Sequence, residues 1–242
     1  MQSVITKRSV RYSQEGLRLV NSFHCIAKTL TKNSILNFTV HSPRTMDTRS
    51  DPMKSQDVVV LFKLISLRQR ENYPRSRRAL EHYNASEQYS VRSLADALGI
   101  SKSEISNSIN RSLYSGIASK SWEDQRLKVN EKALLDFIVY GLKYVFPIKP
   151  GPLARGIATS FAAPVLENQI MSAGESVFVW PHADGRQSGQ SIEPLIKSAP
   201  MAVEKDPWLY AVLAVTDAIR LGSARETKVA RHELEMRLLG NA

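Results

Sequence analysis

Between Ser90 and Gly116 the chain carries two helix-start signals eleven residues apart with a glycine between them, and few folds accommodate that arrangement. Ser90 is placed to cap a helix in which Val91, Leu94, Ala95 and Leu98 share one face. Gly99 follows directly, where a helix end calls for a left-handed residue. Ile100 then turns back to the core. Ser101 caps a second helix, and Glu104 three residues on completes the sequence pattern of a capping box. That helix points Ile105, Ile109 and Leu113 inward and ends at Gly116. Ala95 is small where the two helices approach. The segment predicts two short helices at a tight turn, the unit whose second helix lies in a DNA major groove.

The outward positions of the second helix are Lys102, Ser103, Ser106, Asn107, Asn110 and Arg111. Asparagine can bond adenine, and arginine or lysine guanine, in bidentate fashion. Ser101 and Ser103 sit where hydroxyls and free helix N–H groups meet a phosphate. Residues 117–130 predict a β-hairpin.

The run Ser93-Leu-Ala-Asp-Ala-Leu-Gly-Ile-Ser-Lys-Ser-Glu-Ile-Ser-Asn-Ser-Ile-Asn-Arg-Ser-Leu113 resembles the winged helix-turn-helix of MarR-type bacterial transcription regulators. The four-residue spacing of Ile105 and Ile109 matches the winged subtype. The resemblance covers about residues 55–146 and implies a homodimer on palindromic double-stranded DNA. It also implies a hairpin wing on the minor groove or the DNA backbone. Ser119, Lys120, Arg126 and Lys128 occupy the wing, with Trp122 and Leu127 expected to pack beneath it. Two features depart from the family pattern: a long polar insert at 69–88, and a C-terminal third unlike the family's dimerisation helices.

The flanks frame this unit. Residues 55–68 predict a helix apolar almost all round, hence buried. Within 69–88, residues 75–84 predict a short helix. Asn130 caps a helix running to Phe146, and Pro147 stops it. Net charge is +10, and it is unevenly spread. Residues 53–146 hold 15 Lys/Arg against 10 Asp/Glu, whereas residues 147–242 hold 10 of each. A basic N-terminal part with a neutral remainder points to a polyanionic partner for the former. Residues 1–52 are basic and acid-poor, with one amphipathic stretch from Leu17 to Leu30 and a polar linker from Thr39 to Pro52. Met53-Lys54-Ser55 reads as an ordinary protein start, so 1–52 is expected to be a poorly ordered leader that is not native.

Residues 147–206 are punctuated by Pro and Gly and predict ordered loops, with Ser176–Trp180 as a short extended piece. Arg155, Trp180, His182, Asp184 and Glu193 are the candidates there for a small-molecule effector pocket or a protein-partner surface. Asp206 followed by Pro207 starts one closing helix, and Ser223 with Glu226 starts another, over 224–239. These two helices are candidates for a dimer interface. The expected fold is mainly α with a small β wing (53–146), followed by a loop-rich α+β region ending in two helices (147–242).

Cys25 is the single cysteine, which excludes an internal disulfide and any thiolate cluster. His182 and Asp184 lack further ligands, so no metal or cofactor is expected. Phosphate-loop, nucleophile-elbow and H-E-x-x-H signatures are missing, and no enzymatic activity is expected. The sequence contains neither a membrane-spanning run nor a secretion signal, which predicts a cytoplasmic protein. The expected function is transcription regulation, most simply repression. An antitoxin that regulates its own toxin–antitoxin pair, or a protein-interaction scaffold with a degenerate winged helix, are the alternatives.

Overall fold

A computed structural model of the chain describes residues 51–72, 85–122, 126–167, 169 and 177–240, all within one compact unit, Arg49–Ala242. In chain order it contains α1 (Ser55–Asn72), the one-turn α2 (Ala85–Gln88), α3 (Val91–Leu98) and α4 (Lys102–Tyr114). Next come strands β1 (Ala118–Lys120) and β2 (Leu127–Val129), then α5 (Glu131–Phe137), which continues through a π turn (Ile138–Leu142) to Val145. The C-terminal part holds β3 (Leu153–Thr159), a 3-10 turn (Ser160–Ala162), β4 (Phe178–Pro181), β5 (Gln187–Ser191) and α6 (Ala199–Val203). Helices α7 (Pro207–Leu221) and α8 (Ala224–Leu239) close the chain. The architecture is mixed α+β, and no helix among the described residues is long and apolar enough to cross a membrane. The expectations for the leader, for its Leu17–Leu30 helix and for residues 75–84 fall outside the described residues.

Helix α1 organises the core. Val58 to Phe62, Leu64, Ile65 and Leu67 are all buried, so this helix needs neighbours all round. It packs against α4 and also against α7, which is buried along nearly its whole length. It also runs a turn beyond the expected Arg68, to Asn72.

Polar ties hold α1 to the C-terminal part. The Ser55 hydroxyl donates to the Leu195 carbonyl at 2.7 Å. Lys63 Nζ donates to Asp206 at 2.7 Å, and the Ser66 hydroxyl reaches the same carboxylate at 2.9 Å. Asp206 also accepts the Leu209 N–H, which caps α7 as the Asp-Pro start predicts. Burial pushes the Asp206 carboxyl up, but Lys63, the Leu209 N–H and Arg70 outweigh it and hold its pKa below the usual aspartate range.

That depression has a definite pH signature. With a folded pKa below the unfolded one, the unfolded chain binds more protons as pH falls through this window. The carboxylate's contribution is therefore present above about pH 4 and is lost below it. Asp206→Asn is expected to flatten the acid limb of stability against pH. Urea midpoints followed downward from about pH 6 test this, and an acid limb as steep as the wild type's would rule it out.

Residues 147–206 contain more strand than their sequence implies. Strand β3 pairs antiparallel with both β4 and β5, while β4 and β5 pair in parallel, closing a three-stranded barrel. Of the extended piece expected at Ser176–Trp180, Phe178 to Trp180 lie in β4. Gly156 and Gly185 meet so closely that a Cβ on Gly185 would fall on the Gly156 backbone. Trp180, expected to line a pocket, is a core residue with 1% exposure. Its indole N–H donates to Asp217 at 2.7 Å, and Thr159 and Arg220 converge on the same carboxylate.

Candidate nucleic-acid interface

The local signals between Ser90 and Gly116 produce the elements they predict. The Ser90 side chain accepts the Ser93 N–H at the start of α3, and Ser101 accepts the Glu104 N–H at the start of α4. Gly99 joins the helices at φ +63°, and its N–H closes on the Ala95 carbonyl. A Cβ at Gly99 would stand 2.5 Å from Met201 Cε and 3.0 Å from Ser198 Cβ, so the turn is covered by the start of α6. The Ser198 hydroxyl adds a 2.6 Å bond to the Leu98 carbonyl. The C-terminal part thus grips the turn from behind.

Glu104 takes a different role from the capping box its position suggests. It accepts from Gln56 Nε2 and from Asn107 Nδ2, and lies 3.6 Å from Lys54 Nζ. The Gln56 bond first, then Asn107, holds its carboxyl below the usual glutamate range, so it is anionic at neutral pH.

Of the expected reading residues, Ser101, Lys102, Ser103, Asn107 and Asn110 are exposed, and Ser106 is half-buried. Arg111 is not among them. It is 4% exposed, and its guanidinium makes a two-pronged bond to Asp57 on α1, Nε at 2.8 Å and Nη2 at 2.7 Å. The bonds from Asp57 hold the Arg111 pKa above its usual value. Arg111 is a positioning residue: it fixes α4 against α1 and leaves the outer face to the shorter side chains. The missed signal was Asp57 itself, the one carboxylate in the apolar stretch of α1, which a buried helix must neutralise.

The hairpin follows α4 directly. Ile117 and Ala118 enter the core, and β1 and β2 pair in the register Ser119↔Lys128 and Lys120↔Leu127. Lys120, Arg126 and Lys128 are exposed, as is Ser119. Arg126 also lies over the Tyr89 ring, 5.9 Å from its centroid. Burial, and then the charge of Glu71, push the Tyr89 hydroxyl above the usual tyrosine range, so that ring is neutral beneath the cation. Leu127 packs against the core as expected, but Trp122 does not: its side chain is 94% exposed.

Of the five C-terminal candidates, the structure brings Arg155 and His182 together through the backbone. Trp180 is internal, Arg155 Nε donates to the Gly185 carbonyl, and the His182 N–H donates to the Arg155 carbonyl. Asp184 borders a small pocket beside Tyr210. Glu193 borders a cleft of about 700 Å³ between the Gly99–Ile100 turn, the end of α5 and the 193–198 segment. Among the described residues no group of three or more His, Cys, Asp or Glu side chains is placed to hold a metal. Comparison with protein-family models, curated proteins and solved structures yields no match.

Proposed function

We propose that this chain is a sequence-specific regulator of transcription that binds double-stranded DNA through a winged helix. Helix α4 enters the major groove and the β1–β2 hairpin rests on the adjoining backbone. The observation that carries this reading is the outer face of α4. Lys102, Ser103, Asn107 and Asn110 are free to solvent, while Arg111–Asp57 and the buried Ile105, Ser108 and Ser112 fix the helix from behind. A helix that is rigidly held and polar on its free side suits base edges, which are read only where donors are prepositioned. Lys120, Arg126 and Lys128 supply the phosphate contacts, a term that weakens as salt rises.

Acting as a homodimer, the protein reads two half-sites about 34 Å apart, and its simplest effect is repression by covering a promoter. Selection of bound duplexes from random DNA is the test, and an unenriched pool would end this reading. On the selected site, Asn107→Ala and Asn110→Ala are each expected to relax preference at one base pair, by roughly 1–3 kcal/mol. Unchanged preference in both variants would mean that α4 is not the reader.

A further inference from the structure

We propose that Trp122 is an apolar wedge that enters the minor groove beside the α4 site, parts a base step and bends the duplex; this rests on the DNA-binding reading above. Among the described residues, Trp122 is the first past the outermost backbone bond of the hairpin, which runs from the Ser121 N–H to the Arg126 carbonyl at 2.8 Å. At 94% exposure its indole is supported by almost nothing in its own chain. The other two tryptophans are placed differently. Trp180 is 1% exposed, and Trp208 packs edge-on against Phe62 with ring centroids 6.4 Å apart. An indole left in water forgoes one of the largest apolar contacts any side chain makes.

Charge narrows the choice of occupant. Exposed Lys120, Arg126 and Lys128 flank the tip and favour a polyanion over an apolar protein face. In the sequence, Glu123 and Asp124 follow Trp122 directly, and residues 120–128 together keep a net positive charge. Apolar side chains inserted from the minor groove unstack a base step and kink the duplex toward the major groove. Unstacking is easiest at TA and CA/TG steps, so Trp122 makes such a step at the edge of the site part of the preference without any hydrogen bond.

The full chain and its Trp122→Phe and Trp122→Ala variants are compared on the duplex recovered by selection. Affinity is read by anisotropy, bending by energy transfer between dyes at the duplex ends, and contact by indole emission. Because Trp122 lies outside the core, both variants are expected to melt with the wild type. Trp122→Ala is expected to bind about 10-fold more weakly, to leave the duplex straight and to lose the emission change. Trp122→Phe is expected to keep most of the bend. Wild-type protein that binds without bending the duplex or altering indole emission overturns the wedge alone. So does a Trp122→Ala protein that binds and bends as the wild type does. If wild-type protein enriches no duplex at all, the DNA-binding reading fails and the wedge with it.

Discussion

Replacing Arg111 with alanine is expected to cost the fold about 3–5 kcal/mol, a large share of a typical domain's total stability. Asp57 is fully buried, and both its oxygens accept from the Arg111 guanidinium. Among the described residues the Lys54 backbone N–H also donates to it, at 2.8 Å. Without the guanidinium the carboxylate is left charged in an apolar setting or must take up a proton, and either outcome disfavours the folded state. Lysine cannot reproduce the two-pronged geometry, so Arg111→Lys is expected to recover only part of the loss. The double change Asp57→Leu with Arg111→Met removes both charges and is expected to be milder than Arg111→Ala. Urea denaturation of the three proteins decides the matter. A loss under about 1 kcal/mol for Arg111→Ala would show that water reaches the pair.

Asp217→Ala is expected to have a comparable effect in the other half of the core. Three donors meet on that carboxylate: Trp180 Nε1 at 2.7 Å, Thr159 Oγ1 at 3.0 Å and Arg220 Nη1 at 2.8 Å. Arg220 goes on to donate to the Phe146 carbonyl, so the cluster joins β3, β4 and α7 to the end of the α5 segment. Burial pushes the Asp217 carboxyl up, and Arg220, Trp180 and Thr159 pull against it. Removing the carboxylate strands an arginine that is 6% exposed together with a buried indole N–H, at about 3–5 kcal/mol. Thermal melting tests the loss of stability, and Trp180 emission reports the local change. A variant that melts with the wild type would mean that water or another acceptor replaces the carboxylate.

What could be read from the sequence was what the chain encodes locally. The Ser90, Ser101, Asn130 and Asp206 caps and the Gly99 pivot each depend on a few neighbouring residues, and all appear at the expected positions. The paired Ser223–Glu226 box is closed in both directions. Contacts made at a distance were not legible. Arg111 shares the helix surface with Asn107, and only a carboxylate 54 residues away decides that one turns inward and the other outward. Strand β5 is Gln-Ser-Gly-Gln-Ser, with no apolar alternation to mark it, and pairing with β3 makes it a strand. The continuous helix expected from Glu131 to Phe146 widens into a π turn at Ile138–Leu142, which includes Gly141, where Phe137 lies against the glycine. Trp122 is expected to pack beneath the wing, yet it lies past Lys120, where the β1–β2 register ends, and the side-chain alternation of a strand does not extend to it.

The position of α1 bears on how the protein is made. It emerges from the ribosome first among the described helices, yet α7, one of its two main packing partners, is among the last to be synthesised. Until residue 221 is clear of the exit tunnel, one flank of α1 lacks its full cover, and until Asp206 is clear, Lys63 and Ser66 lack the carboxylate they share. The nascent chain therefore carries an oily rod for most of its synthesis. A product truncated near residue 146 would keep the outer face of α4 but would be prone to aggregate, and early termination yields material for proteolysis rather than a smaller folded domain.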